Sequence, residues 1–213
     1  MKTTTTFIKR TDSTWRPQCV YWSPSTGDLL VGMYYIYTEI GKVTRYNQSG
    51  QLTQTIELDT GRGLYSDPIY ITENNNGDAV VSDFGSGTVV VTERGGRHRF
   101  SYTGHPSGSG LGPWGICTDA LSHILVCDEW TKTVQMLDKD GQFLSHLLTE
   151  SQEMGRPWGL SYDVSTHHLW VGSRDNNKLC VYRYITRQDA LTDEHRPRPD
   201  GEAMFSSSAV EWR

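Results

Sequence analysis

Hydrophobic and polar residues alternate along most of this chain in short runs, and the runs recur. Pro17, Pro68, Pro113 and Pro157 stand 51, 45 and 44 residues apart. Three residues after each comes an apolar side chain: Val20, Ile71, Ile116 and Leu160. Turn residues follow, Gly27-Asp28, Gly77-Asp78, Ser122-His123 and His167-His168. A second run then ends at Gly32, Ser82, Cys127 and Gly172, with a valine at 31, 81, 126 and 171 in steps of 50, 45 and 45. A third run opens at Lys42, Thr88, Thr133 and Lys178, carrying Val43, Val89, Val134 and Leu179 and then Val91, Met136 and Val181. Arg45 breaks that last column in the first copy. Gly50, Gly96 and Gly141 lead into a fourth run, which the last copy lacks after Tyr184.

Period-two alternation buries one side of a strand, and Gly, Asn and Asp allow the tight turns between antiparallel neighbours. Four strands in roughly 45 residues make one propeller blade, which cannot cover both of its faces alone and has to stack on others. The pattern therefore predicts an all-β protein, a β-propeller with about four blades visible. Their expected bounds are 12–57, 58–103, 104–149 and 150–185, after a lead-in at 1–11. The first copy is the longest, its extra residues falling in an aromatic-rich loop at 33–40. Residues 186–213 are polar, with mixed charge and a Ser run, and are expected to be a flexible tail; a docking peptide containing Phe205 or Trp212 is the lesser alternative.

The third and fourth copies carry a family resemblance. Arg156-Pro-Trp-Gly-Leu-Ser-Tyr-Asp, followed by Leu169-Trp-Val-Gly and Asn177-Lys-Leu-Cys-Val-Tyr182, resembles an NHL repeat, with Lys178 where the motif has His. Gly112-Pro-Trp-Gly-Ile-Cys-Thr-Asp119 is similar. The likeness covers about residues 12–185 and is similar in manner to the C-terminal propellers of tripartite-motif proteins. It implies a six-bladed parent whose upstream RING, B-boxes and coiled coil belong to a ubiquitin ligase, with the propeller selecting a protein or RNA partner. This sequence has no RING-like Cys/His array and no heptad run. The resemblance thus implies a non-catalytic, partner-recognising scaffold, any ligase activity coming from an upstream region. Two closures fit four copies: a closed four-bladed ring with Thr3–Ile8 as the missing outer strand, or an arc cut from six blades.

Composition narrows the classes. Hydrophobic residues make up 36% and glycines number 21, which suits short strands and turns; 7 Trp and 11 Tyr supply buried area. With 20 basic and 25 acidic residues the formal charge is -5, so the whole molecule does not present a nucleic-acid surface. No run reaches the length of a membrane span, and the N-terminus lacks the apolar core of a secretory signal. Asn47-Gln48-Ser49 fits a glycosylation sequon, taken as chance without such a signal. Cys19, Cys117, Cys127 and Cys180 match no zinc spacing and are expected as reduced, mostly buried thiols of a cytoplasmic protein, with a Cys117–Cys127 disulfide as the lesser alternative. No cofactor is expected, and no metal site.

Propellers bind through the loops at one end of the inner strands, here about 59–67, 104–112, 129–132, 150–156 and 173–177. Five residues on or beside these loops are the candidate partner-binding set: Trp114, Trp130, Arg156, Trp158 and Arg174. Twin Pro-Trp-Gly motifs at 113–115 and 157–159 place two of the indoles at the mouth. Each indole reads either as a plug between blades, since Trp is highly buried on average, or as a rim that anchors a partner. A protein partner is expected; RNA is the second option, as the three indoles could stack bases although the loops mix Lys and Arg with Asp and Glu. A third option is a calcium-dependent, lactonase-like propeller enzyme, for which Asp83 and Asp128 occupy equivalent blade positions while Met33 and Ser173 replace them elsewhere. A YWTD-type extracellular propeller is suggested only by Tyr21-Trp22-Ser23, which the other copies do not repeat. His167 and His168 fall at a hairpin tip rather than in a ligand set.

Overall fold

A computed structural model describes residues 7–8, 14–59, 61–106, 108, 110–152, 154–185 and 206–211. Four antiparallel sheets of four strands follow one another. The first holds β1 (Trp15–Trp22), β2 (Leu29–Tyr35), β3 (Ile40–Tyr46) and β4 (Leu52–Ile56). A two-residue pair, β5 (Leu58–Asp59) and β6 (Arg62–Gly63), decorates the connection to the second sheet. That sheet is β7 (Pro68–Glu73), β8 (Ala79–Asp83), β9 (Thr88–Thr92) and β10 (His98–Tyr102). The third is β11 (Pro113–Thr118), β12 (Ile124–Asp128), β13 (Thr133–Leu137) and β14 (Phe143–Leu148). The fourth is β15 (Pro157–Asp163), β16 (His168–Ser173), β17 (Lys178–Arg183) and β18 (Ser206–Glu211). The first strands of the sheets pack side by side in the order β1, β7, β11, β15, which makes each sheet a blade with its first strand innermost.

Alternation assigns each side chain to one of three interfaces. In β8, Val81 faces the first blade with Leu30, Val43, Ile56 and Ile71, while Val80 faces the third with Val126 and Leu137. In β12, Leu125 and Cys127 turn to the fourth blade and meet Leu169, Val171 and Tyr182. Fully burying each such aliphatic side chain is worth about 1.5–3 kcal/mol. One residue of register slip would turn every one of them toward the opposite blade interface, among the wrong partners.

The turn columns also appear as backbone geometry. Gly27, Gly77, Ser122 and His167 all have positive φ, and so do Glu39, Gly87, Lys132 and Asn177 just before the third strands. Only glycine takes that conformation without steric cost. Lys132 has φ 56, and its main contact there is an exposed ion pair to Glu150 at 2.7 Å, of a kind worth little in water. Lys132→Gly is therefore expected to raise stability by about 0.5 kcal/mol, read as a higher urea midpoint at unchanged slope.

Several expectations change. The segment 33–40 is only partly a loop, because β2 runs on to Tyr35 and sets it against Trp15, the rings tilted with centroids 5.2 Å apart. Arg45, which breaks its column, is buried and reaches across to Glu73 at 2.8 Å, with Asp28 at 3.5 Å. A buried ion pair thus stands where the other blades put Val91, Met136 or Val181. The outer strand of the fourth blade comes from the tail, since Ser206–Glu211 pairs antiparallel with β17 from Lys178↔Glu211 to Arg183↔Ser206. The expected flexible tail is corrected for those six residues, and β17 gains a partner for its open edge. Residues 186–205 and most of the segment Thr3–Ile8 lie outside the described residues. All four cysteines are free thiols, Cys117 and Cys127 included. Burial pushes Cys19 up to about 12, so its thiolate is scarce at neutral pH.

Candidate functional site at the mouth of the third and fourth blades

The inner strands of the second, third and fourth blades start at a proline, and the residue after it stands at one rim of the arc. In the third and fourth blades that residue is Trp114 and Trp158, and their rings stack with centroids 3.4 Å apart at 25°. Phe84, just beyond β8, extends the row, 5.1 Å from Trp114. The indoles are half-buried and bridge adjacent blades while keeping an edge in solvent.

The loops after the second strands bring charge to this row. Glu129, just beyond β12, has its side chain mostly buried, and its carboxylate gathers three donors. Trp114 Nε1–H donates to Oε2 at 2.8 Å; Arg174 and Arg156 donate to Oε1 through Nη1 at 2.6 and 3.4 Å. Arg174 also lies over the Trp158 ring, 4.3 Å from its centroid, where the negative ring face favours a cation. The Arg156 N–H donates to Asp175 Oδ1 at 2.9 Å; this backbone bond comes first among the causes that hold the Asp175 carboxyl below its usual range. Arg156 and Arg174 remain about half-exposed.

Four of the five candidate residues, Trp114, Arg156, Trp158 and Arg174, thus converge, and Glu129 joins them. Trp130 does not. Its indole is 54% exposed and lies over the backbone of Gly110 and Gly112, where a Cβ at Gly112 would stand 2.8 Å from the ring. Glu129, Asp175 and Phe84 were missed as site residues. In sequence the two carboxylates count only as acidic charge in basic loops, and the signal available was that 84, 129 and 174 are one repeat column.

Asp83 and Asp128 are spent elsewhere. Buried Asp83 accepts from the Ser66 N–H at 2.8 Å, the Asp67 N–H and the Ser86 hydroxyl at 2.6 Å. Burial, partly offset by those bonds, pushes its carboxyl above the usual range. Asp128 accepts from the N–H groups of Gly112 and Trp130 at 3.0 and 3.1 Å, from Thr131 at 2.6 Å and from Gln135 at 2.8 Å. Each ties its incoming connection to its own loop. Among the described residues no three His, Cys, Asp or Glu side chains gather to hold a metal ion. A concavity of about 390 Å³ lies apart from the mouth, lined by His105, Thr131, Gln135 and His146 among others.

The mouth sets a flat aromatic surface beside two cationic groups. The paired indoles supply the surface, and two preset guanidiniums supply donors suited to carboxylate, phosphate or a polarised carbonyl.

Four stacked antiparallel sheets around inner strands define a β-propeller fold, and known structures share it. A catalytically inactive virginiamycin B lyase from Staphylococcus aureus with quinupristin superposes at TM-score 0.67 and 14% identity, over 95% of this chain and 58% of that one. A putative 6-phosphogluconolactonase from Bacteroides fragilis gives TM-score 0.57 at 12% identity, over 92% and 56%. Regucalcin, a calcium-binding protein from Agrobacterium tumefaciens, gives 0.53 at 15%, over 87% and 60%. The chain therefore spans well under two thirds of the length of each. No family model and no curated protein matches the sequence. The propeller expectation holds, while none of these three neighbours is named for a tripartite-motif or NHL protein. The expectation of a chain without catalytic function is corrected, because the structures sharing its fold include a lyase and a lactonase by name.

Proposed function

We propose that the chain carries the substrate face of a propeller enzyme that opens small cyclic esters at the mouth of its third and fourth blades. One observation carries this most: Arg156 and Arg174 are gathered by the same carboxylate beside a stacked indole pair. In lactone hydrolysis water adds to the acyl carbon, the ring C–O bond breaks, and a hydroxy carboxylate and a proton result. Negative charge develops on the carbonyl oxygen as water attacks. The two guanidiniums meet that charge in place, and Glu129 positions them without touching substrate. The indoles hold the ring against the rim and displace water from it. The lyase and lactonase names of the fold neighbours support this class.

Proton release from gluconolactone and 6-phosphogluconolactone, followed with a pH indicator, tests the proposal. The wild-type chain is expected to exceed the spontaneous rate. Arg174→Ala, at an exposed position that leaves folding intact, is expected to lower kcat/KM about a hundredfold, with Arg174→Lys recovering part of it. Release at the spontaneous rate from both lactones would overturn the assignment.

A further inference from the structure

The mouth changes character along its length. Each of the last three blades gives it two side chains, one just after the proline that opens the inner strand and one just beyond the second strand. The fourth blade gives Trp158 and Arg174, the third Trp114 and Glu129, the second Ile69 and Phe84. The register of the inner strand slips beside the first of these in all three blades, an irregularity of the kind that re-aims a side chain. Charge is thus held towards the fourth blade, where Arg174 lies over Trp158 and Arg156 meets it on Glu129. The same two places in the second blade are both apolar.

The aromatic surface does not stop where the charge does. Trp158 stacks on Trp114 at 3.4 Å, and Phe84 follows Trp114 at 5.1 Å, so the rings run on from the guanidiniums across two blade junctions. Ile69 and Phe84 are half-buried, and each keeps part of its surface in water. Asp67, beside this end, is already engaged. Its carbonyl accepts from the Phe84 N–H at 3.0 Å, and its carboxylate accepts from Gln18 Nε2 of the first blade at 3.0 Å.

Resting on the lactone reading of this mouth, we propose that the ring it takes carries an apolar alkyl chain, which lies from Trp114 across Phe84 while Arg156 and Arg174 meet the carbonyl oxygen. A polyol chain in that place would set hydroxyls against carbon and lose their hydrogen bonds to water, whereas each methylene buried there is a gain. Phe84 acts on specificity: it touches the chain and stands apart from the reacting atoms.

δ-Valerolactone and δ-decalactone test this, because they share one ring and differ only in a pentyl chain on the carbon bearing the ring oxygen. Proton release from the full chain is expected to give a kcat/KM about tenfold higher for δ-decalactone. The gain should lie in KM, since the chain is held alike before and during reaction. Phe84→Ala is expected to remove most of that ratio, and Phe84→Leu, which keeps an apolar surface, to retain it. A damaged fold would instead slow both lactones together, and circular dichroism checks it. Binding of the ring-opened products, followed by Trp fluorescence, separates the chain from the chemistry. 5-Hydroxydecanoate is expected to bind about tenfold tighter than 5-hydroxypentanoate, and to lose that margin in Phe84→Ala. If neither lactone opens above its spontaneous rate while the margin stands, the lactone reading falls and the alkyl site survives. Equal affinities for the two products, or a margin that Phe84→Ala leaves intact, would overturn the alkyl chain whether or not the ring is opened.

Discussion

Asp128→Ala is expected to cost about 3–5 kcal/mol of folding stability, among the largest losses available from one side chain. The carboxylate is fully buried and accepts four hydrogen bonds from Gly112, Trp130, Thr131 and Gln135. Alanine leaves those donors without an acceptor in a place water does not reach, and hydrogen bonds to charged groups are worth about 1.5–3 kcal/mol each net, a sum that relaxation of the loop reduces. The damage spreads, since Gln135 also accepts from the Tyr102 hydroxyl at 2.6 Å and so links the second blade to the third. Urea unfolding reads the effect as a lower midpoint at similar slope. Asp128→Asn, which keeps one acceptor oxygen, is expected to lose roughly half as much. A loss below about 1 kcal/mol for the alanine variant would show that the aspartate column does not hold the loops.

Gly115→Val is expected to be comparably severe, for a steric reason. Its φ is not among the positive values, so glycine is kept there for space. All three atoms that a Cβ would meet are backbone of the fourth blade, and no flexible side chain can yield. The blades must part, which lets water to the interface of Leu125, Val134, Leu169 and Val171 and splits the Trp114–Trp158 stack one residue away. About 3 kcal/mol or more is expected, or roughly 6–12 °C in Tm for a chain of this size. Gly159→Ala is the control. With nothing within 4 Å it should leave the Tm nearly unchanged. Equal losses at the two glycines would contradict a steric cause at Gly115.

Much of the fold was legible in the sequence because blade packing is a local code repeated. Period-two alternation with valines at 31, 81, 126 and 171 fixes which face meets which neighbour, and the turn columns reappear as positive φ at Gly27, Gly77, Ser122 and His167. Features that depend on a distant partner were not legible. Arg45 reads as a broken column until Glu73 on the adjacent blade is seen 2.8 Å away. β18 lies 22 residues beyond β17, in a stretch whose composition suggests a tail. At the mouth, the twin Pro-Trp-Gly motifs announced Trp114 and Trp158, whereas Glu129 looked like one more acid in a mixed loop. Its role exists only through Arg156 and Arg174, 27 and 45 residues away in sequence. For the same reason periodicity gave the architecture and not the chemistry: a scaffold and an enzyme can share every packing column.

Indole N–H resonances of the full chain, recorded while gluconate is titrated in, test the mouth most directly. Gluconate is the hydroxy acid that opening of gluconolactone yields, and its carboxylate should seat on Arg156 and Arg174. Saturable shifts are expected at Trp114 and Trp158, assigned by single Trp→Phe variants, with Trp22, Trp130 and Trp170 unmoved and the response abolished in Arg174→Ala. Shifts centred on Trp130, or none at saturating gluconate, would contradict the mouth of the third and fourth blades as the substrate site.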